Sequence, residues 1–406
     1  MRLFTPSLLV IPSLLALLLL PVAGQGEEAH SKITNTDDQE EWVVVFDDPR
    51  PARLQGWVRN DYGKASGDYR SSLELTRFSK RVAAKYGMDL RDEWYISSLG
   101  VYCLVVRFKD DQAEAMAKLK EDESVQWIQP SNEFELLVSS SGTPANVETA
   151  ISKNSQLPNS MNGAGVTIAI VDSAVDDTHP DLTGAIQKNE LFATDARDNI
   201  SGEKHGTAIA GVMITQPHTK LGVTGIAPAA TVHAYRGCWE STEDKTTNCS
   251  TLSLARALDA VIQDDADLLN LSLSGPRDAL LDRLVQRLID RGSLVVAAYD
   301  PNRTSSERFP KNREGVLIVR AEGLAGGNGR GFTAPGARVV PMPGNRYDFM
   351  QGHSIATAYT TGVFALRKQA FDSRENIVSN NRANDWRTVS DASAAQDLVA
   401  EILERS

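Results

Sequence analysis

Between residues 163 and 366, short and almost uninterrupted apolar runs alternate with helical stretches. The runs are Thr167 to Val171, Thr231 to Tyr235, Leu268 to Ser272, Leu294 to Ala298 and Val316 to Val319; Leu252 to Asp264 and Ala279 to Arg291 are two of the helical stretches. A strand that is apolar on both faces must be covered on both faces, and helices placed between such strands supply the cover. The pattern therefore predicts an α/β fold built on a parallel sheet. In open sheets of that kind, sites form beyond the carboxyl ends of the strands. Asp172 and the segment Ala298 to Asn302 fall there.

The chain of 406 residues, 41% hydrophobic and 23% charged, has room for two or three domains and a large core. Its formal net charge of −11 excludes nucleic acid and an anionic membrane surface as partners, because both require a basic patch. Residues 1–24 read as a secretory signal peptide: Arg2, an apolar stretch from Leu8 to Leu20, then Val22-Ala23-Gly24 for cleavage. The expected location is secreted or periplasmic, with no membrane attachment after signal removal. Residues 25–40 are acidic and polar, a disordered lead-in. An oxidising compartment allows disulfides, and Cys238 and Cys249 flank the polar loop Glu240 to Asn248, so these two are paired here; two unrelated buried thiols is the competing reading. Cys103, inside an apolar run, reads as a small buried hydrophobe. Asn199, Asn248, Asn270 and Asn302 begin N-x-[ST] triplets, a pattern too common to carry an argument.

Residues 41–138 have a different rhythm. A strand from Trp42 to Phe46 precedes a helix with Leu75, Phe78, Val82 and Tyr86 on one face, ended by Gly87. A short strand at Trp94 to Ile96, a strong one from Val101 to Phe108, a helix from Asp111 to Lys120 and a closing strand from Val125 to Ile128 complete a βαββαβ order. That is the ferredoxin-like split motif, an α+β module. Beyond it, Phe134 to Val138 reads as an extended tail followed by Ser139-Ser140-Ser141-Gly142.

Three residues supply the roles of one nucleophilic chemistry, in the chain order Asp172, His205, Ser354. A serine hydroxyl needs a base, and the base needs a carboxylate to fix its tautomer and stabilise its cation. The flanking sequences are Gly165-Val166-Thr167-Ile168-Ala169-Ile170-Val171-Asp172, His205-Gly206-Thr207 and Gly352-His353-Ser354-Ile355-Ala356-Thr357-Ala358. With Thr178-His179-Pro180-Asp181-Leu182 and Gly225-Ile226-Ala227-Pro228, they make residues 163 to about 368 resemble the subtilisin-like serine peptidases, the subtilases. The resemblance implies a parallel-sheet catalytic domain, assigned to 145–406 with a polar tail, and protein or peptide substrates cut through an acyl-enzyme. Ser354 would open a helix whose amino-terminal dipole favours a developing anion. The module at 41–138 resembles the subtilase propeptide, which implies a zymogen whose own propeptide is an intramolecular inhibitor, with the tail in the cleft and self-cleavage between about residues 132 and 150. Ser272-Leu273-Ser274-Gly275 resembles the strand that pairs with substrate backbone.

The departures from the family pattern are specific. Asp172 is followed by Ser173-Ala174 and His205-Gly206-Thr207 by Ala208, both tolerable changes. In Val295-Val296-Ala297-Ala298-Tyr299-Asp300-Pro301-Asn302, the family's Ala-Gly-Asn is replaced, putting Asp300 where an asparagine donates to the oxyanion; Asp300 donates only when protonated, and Asn302 is the alternative donor if the loop is rearranged. This leaves a second reading open, a catalytically inactive subtilase fold that binds a partner. An α/β-hydrolase is excluded because no Gly-x-Ser-x-Gly surrounds Ser354. No cofactor or metal is expected: calcium has no Asp-x-Asp-x-Asp-Gly loop, and Asp195, Asp198 and Asn199 form only a faint cluster.

Overall fold

The structure is a computed structural model that describes residues 40–50, 69–109, 111–137, 161–193, 200–216, 223–241, 246–304, 306–324 and 332–375. The signal segment, most of the acidic lead-in, the tail from Val138 to Gly142, Asp195, Asp198, Asn199 and the polar stretch beyond 375 lie outside the described residues.

The first module contains β1 (Trp42–Asp47), α1 (Tyr69–Lys85), β2 (Met88–Ile96), β3 (Val101–Phe108), α2 (Gln112–Lys120) and β4 (Val125–Pro130). Its four strands form an antiparallel sheet in the order β2-β3-β1-β4, the arrangement of the ferredoxin-like motif. β2 is longer than the sequence implied. Its first half interleaves Asp89, Arg91 and Asp92 with Met88 and Leu90 on an edge strand, so the unbroken apolar run is confined to Trp94 to Ile96.

The central strand explains why the module is where it is. Val43, Val44, Val45 and Phe46 are all fully buried, which a sheet with one wet face would not allow. Val44 and Phe46 pack with Val82, Tyr86 and Leu119 under the module's own helices. Val43, Val45, Cys103 and Val105 belong instead to a core shared with Leu254, Leu258, Leu281 and Leu284 of the larger domain.

β5 (Glu133–Leu136) leaves the module and runs into that domain. There β6 (Thr167–Asp172), β7 (Ile186–Leu191), α3 (His205–Ile214), β8 (Thr231–Arg236), β9 (Cys238–Glu240), β10 (Thr247–Ser250), α4 (Thr251–Gln263), β11 (Leu268–Leu271), β12 (Leu273–Pro276) and α5 (Ala279–Asp290) follow. The chain closes with β13 (Leu294–Ala298), β14 (Arg308–Phe309), β15 (Val316–Ala321), β16 (Phe332–Ala334), β17 (Ala337–Met342), β18 (Arg346–Gln351) and α6 (His353–Glu375).

Seven strands form a parallel sheet in the order β16-β15-β13-β11-β6-β8-β7. Alternate residues of each inner strand enter two different cores. Ala169, Val171, Leu269 and Val295 face α4 and α5, while Ile168, Ile170, Leu268 and Val296 face α3 and α6. This is the doubly covered parallel sheet that the continuous apolar runs imply. β7 gave no such signal because it is an edge strand whose residues alternate between half-buried and exposed.

A second, five-stranded sheet has the order β14-β12-β5-β10-β9, so the tail strand β5 is its middle member. Cys238 and Cys249 face each other in β9 and β10 and are joined by a disulfide, and Cys103 is a buried free thiol. α4 and α5 carry the first module. The buried Asp259 carboxylate accepts from the backbone N–H of Ser97 at 3.2 Å and of Ser98 at 2.9 Å. Arg256 pairs with Asp92 and Arg283 lies over the Trp127 ring. Among the described residues, no helix is long and apolar enough to cross a membrane.

Candidate functional site

Asp172 ends β6 and His205 begins α3. The two elements meet closely because residue 206 is glycine: a Cβ there would lie 2.3 Å from the Ser173 carbonyl oxygen. The Gly206 N–H donates to Ser173 Oγ at 3.0 Å, tying the helix start to the strand end. In that setting His205 Nδ1 lies 2.7 Å from Asp172 Oδ1, and both side chains are buried. A carboxylate on Nδ1 holds the proton there and leaves Nε2 as the basic nitrogen. His205 Nε2 and Asp172 Oδ2 are buried with no hydrogen-bond partner among the described residues.

Burial opposes the His205 cation, but the Asp172 charge and hydrogen bond and the Glu240 charge outweigh it, raising the imidazole above its ordinary value. Glu240 was not legible in the sequence. It comes from β9, and its Oε1 accepts from the N–H of Lys204 and His205, at 2.8 and 2.7 Å, and from Ser173 Oγ at 2.8 Å. A carboxylate on the first N–H groups of a helix is favoured by the helix dipole. Glu203 supports the same region, accepting from the Ala174 N–H at 2.7 Å and pairing with the buried Arg236. Its place just before a helix was the available signal.

Ser354 sits in the first turn of α6 and is fully buried. Its Oγ donates to the carbonyl oxygen of Leu137, at 2.6 Å, and lies 3.5 Å from the Ser272 carbonyl. The partner of the hydroxyl is thus the chain's own tail.

That tail is held as an added strand. β5 pairs antiparallel with β12 on one side, Leu136 opposite Leu273 and Glu135 opposite Ser274, and with β10 on the other, Phe134 opposite Cys249. The Leu137 N–H extends the pairing by donating to the Ser272 carbonyl at 3.0 Å. Ser272, Leu273, Ser274 and Gly275 are therefore all in or beside this pairing. Gly275 has a steric reason to be glycine, since a Cβ would stand 2.1 Å from the Phe134 ring.

Asp300 is buried next to this strand, and each of its oxygens receives a hydrogen bond: Oδ2 from Ser274 Oγ and Oδ1 from the Asn302 N–H, both at 2.8 Å. Arg303 Nε stands 3.5 Å from Oδ2. In this arrangement Asp300 accepts rather than donates. The Asn302 side chain is exposed, and it is the backbone of this residue that reaches Asp300.

Two further histidines have structural partners. His179 Nδ1 accepts from the Asp181 N–H at 3.2 Å, and His353 Nδ1 accepts from the Ala321 N–H at 3.0 Å. Among the described residues, no three His, Cys, Asp or Glu side chains gather as metal ligands would.

Comparison with known proteins gives the family and the fold. The thermophilic serine proteinase of Bacillus sp. (strain AK1) is 32% identical over 224 residues, covering 53% of this chain and 54% of that protein. Subtilisin Savinase of Lederbergia lenta is 31% identical over 238 residues, covering 56% of this chain and 85% of that protein. The chain thus spans little more than half the length of the first of these curated relatives. Fervidolysin from Fervidobacterium pennivorans, described as a keratinolytic enzyme related to subtilisin, superposes with a TM-score of 0.61 at 18% identity, over 82% of this chain and 55% of its own. The epidermin leader peptide processing serine protease of Staphylococcus aureus superposes with a TM-score of 0.55 at 16% identity, over 89% of this chain and 99% of its own. At these identities the two structures speak to the fold alone. Residues 163–399 match the Subtilase family, and the chain belongs to that family.

Proposed function

We propose that the protein is a secreted or periplasmic serine endopeptidase made as a zymogen, with Ser354 as nucleophile, His205 as base and Asp172 as its orienting carboxylate. The observation that carries this reading is the 2.6 Å contact between Ser354 Oγ and the Leu137 carbonyl, made while the Leu137 N–H is held by Ser272. It presents one peptide bond, Leu137–Val138, to the hydroxyl.

Here the Ser354 hydroxyl is bonded to the Leu137 carbonyl and not to His205 Nε2, so the reaction begins when it turns to that nitrogen, which has no partner among the described residues. His205 Nε2 takes the Ser354 proton as Oγ bonds to the Leu137 carbonyl carbon. The negative charge on the carbonyl oxygen is met at the amino terminus of α6, with Asp300 as side-chain donor when it carries a proton. Collapse breaks the C–N bond, His205 returns the proton to the Val138 nitrogen, and water then hydrolyses the acyl-enzyme by the same path. Protein or peptide substrates would replace β5 between β10 and β12, where main-chain pairing supplies affinity largely independent of sequence. Until then the propeptide occupies the place of substrate.

One observation favours a second reading. Both Asp300 oxygens accept hydrogen bonds, which suits a retained fold that binds a partner without turnover. A fluorophosphonate probe separates the two, since it labels only an activated serine. The expected result is labelling of processed protein at Ser354, none in Ser354→Ala, and a Ser354→Ala precursor that stays full length. Cleavage of the purified Ser354→Ala protein at the same bond would overturn self-processing, and an unlabelled processed protein would favour the binding role.

A further inference from the structure

Side chains alternate across a strand, and cross-strand partners share a face. In the five-stranded sheet Ser274 faces Glu135 and Pro276 faces Arg308, while the Leu137 to Ser272 bond continues the register. Glu135, Leu137, Ser274 and Arg308 therefore project to one face, and Phe134, Leu136, Gly275 and Phe309 to the other.

The two faces differ in kind. On the second, Phe134 packs edge-on against Phe309 with centroids 5.6 Å apart. The first face is charged. Asp300 is held there by Ser274, with Arg303 close to both Asp300 and Glu135. Arg308 lies over the Tyr299 ring at 5.4 Å, and Arg320 lies over the same ring at 4.2 Å. Arg303 thus meets the Asp300 carboxylate, while Arg308 and Arg320 share the Tyr299 ring beside it. Arg308 is only 3% exposed, and its buried Nε has no hydrogen-bond partner among the described residues. Burial lowers the guanidinium from its ordinary value, with the Asp300 charge opposing the shift. A buried donor without an acceptor is costly, and Leu137, which projects to the same face of the sheet, carries no acceptor in its side chain.

We propose that Arg308 makes the subsite for the side chain just before the cut bond selective for a carboxylate, so that the substrates are proteins or peptides cleaved after Asp or Glu. This rests on the reading that Leu137 stands in the substrate position. The same geometry makes the propeptide a mismatched occupant of that subsite, one that acidic substrates outcompete after cleavage.

The subsite can be tested without catalysis. In full-length Ser354→Ala protein, Leu137→Glu should melt at a higher temperature than Leu137→Lys. Arg308→Gln should remove that difference, while Arg308→Lys, which keeps the cation, should retain its direction. A Lys variant as stable as the Glu variant, or a gap that survives Arg308→Gln, would overturn the proposal. With processed enzyme, peptides differing only in that residue should show kcat/KM for Glu about tenfold or more above Leu, a ratio that Arg308→Gln compresses toward one. Preference for the Leu peptide would overturn the specificity and leave the peptidase reading intact. Cleavage of neither peptide, with no probe on Ser354, would overturn the peptidase reading and the substrate claim with it.

Discussion

The two sheets of the large domain are built on opposite terms. In the seven-stranded parallel sheet, the inner strands β6, β11 and β13 are buried on both faces, with α4 and α5 covering one face and α3 and α6 the other. The five-stranded sheet has at its centre β5, a strand contributed by the N-terminal module, with the pattern exposed-buried-exposed-buried. Removing a strand from the first would open the core. Removing β5 from the second uncovers two edges, β10 and β12, and edges are where an extended chain adds on. One sheet is scaffold and the other is a place that a second chain can take.

That contrast can be broken first at Phe134, the main apolar anchor of the borrowed strand. Phe134→Ala removes a fully buried ring that meets Phe309 and Gly275, a loss of about 3 kcal/mol or more. The cleaved propeptide should then inhibit the processed enzyme on the order of 100-fold less well by titration, while processed enzyme lacking the propeptide melts as before. An unchanged inhibition constant would mean that β5 is not what holds the module on.

Asp300 sharpens the comparison at the point where the scaffold sheet meets the site. If it donates to the oxyanion, Asp300→Ala should reduce kcat by about 100-fold, and Asp300→Asn, an amide donor in every protonation state, should retain activity. A loss of kcat in Asn302→Ala with none in Asp300→Ala would move the donor to Asn302.

The disulfide secures the outer edge of the exchangeable sheet. Cys249→Ser opens a link spanning 11 residues, which should lower stability by roughly 2 to 3 kcal/mol on chain-entropy grounds, read by denaturant unfolding. Equal unfolding midpoints with and without reductant in the unmodified protein would argue against that contribution.

Glu240 gives the smallest effect. Its charge favours protonated His205, and the base works only when neutral, so activity should rise with pH through a His205 midpoint above the ordinary imidazole value. Glu240→Gln removes one of the raising charges and should shift that acid limb to lower pH by less than about one unit. A limb that does not move would leave Glu240 a helix cap alone.

The same division governs how much could be read from the chain. Five strands of the scaffold sheet, β6, β8, β11, β13 and β15, announced themselves because burial on both faces demands continuous apolar residues, and the order Asp172, His205, Ser354 was plain because the first ends such a strand and the other two stand at the start of helices. The edge strands β2 and β7 were partly or wholly hidden, since polar residues on a wet edge look like loop.

Local sequence thus determined the inner strands and the main helices, the family resemblance and the types of residue at the site. Tertiary structure alone decided what stands around them. Glu240 reaches the His205 helix from 35 residues away, Leu137 reaches Ser354 from 217 away, and Arg308 comes to the face of Glu135 through a strand that neither belongs to. Propensity and periodicity act over a few residues, whereas charge, register and burial act between residues that only the folded chain brings together.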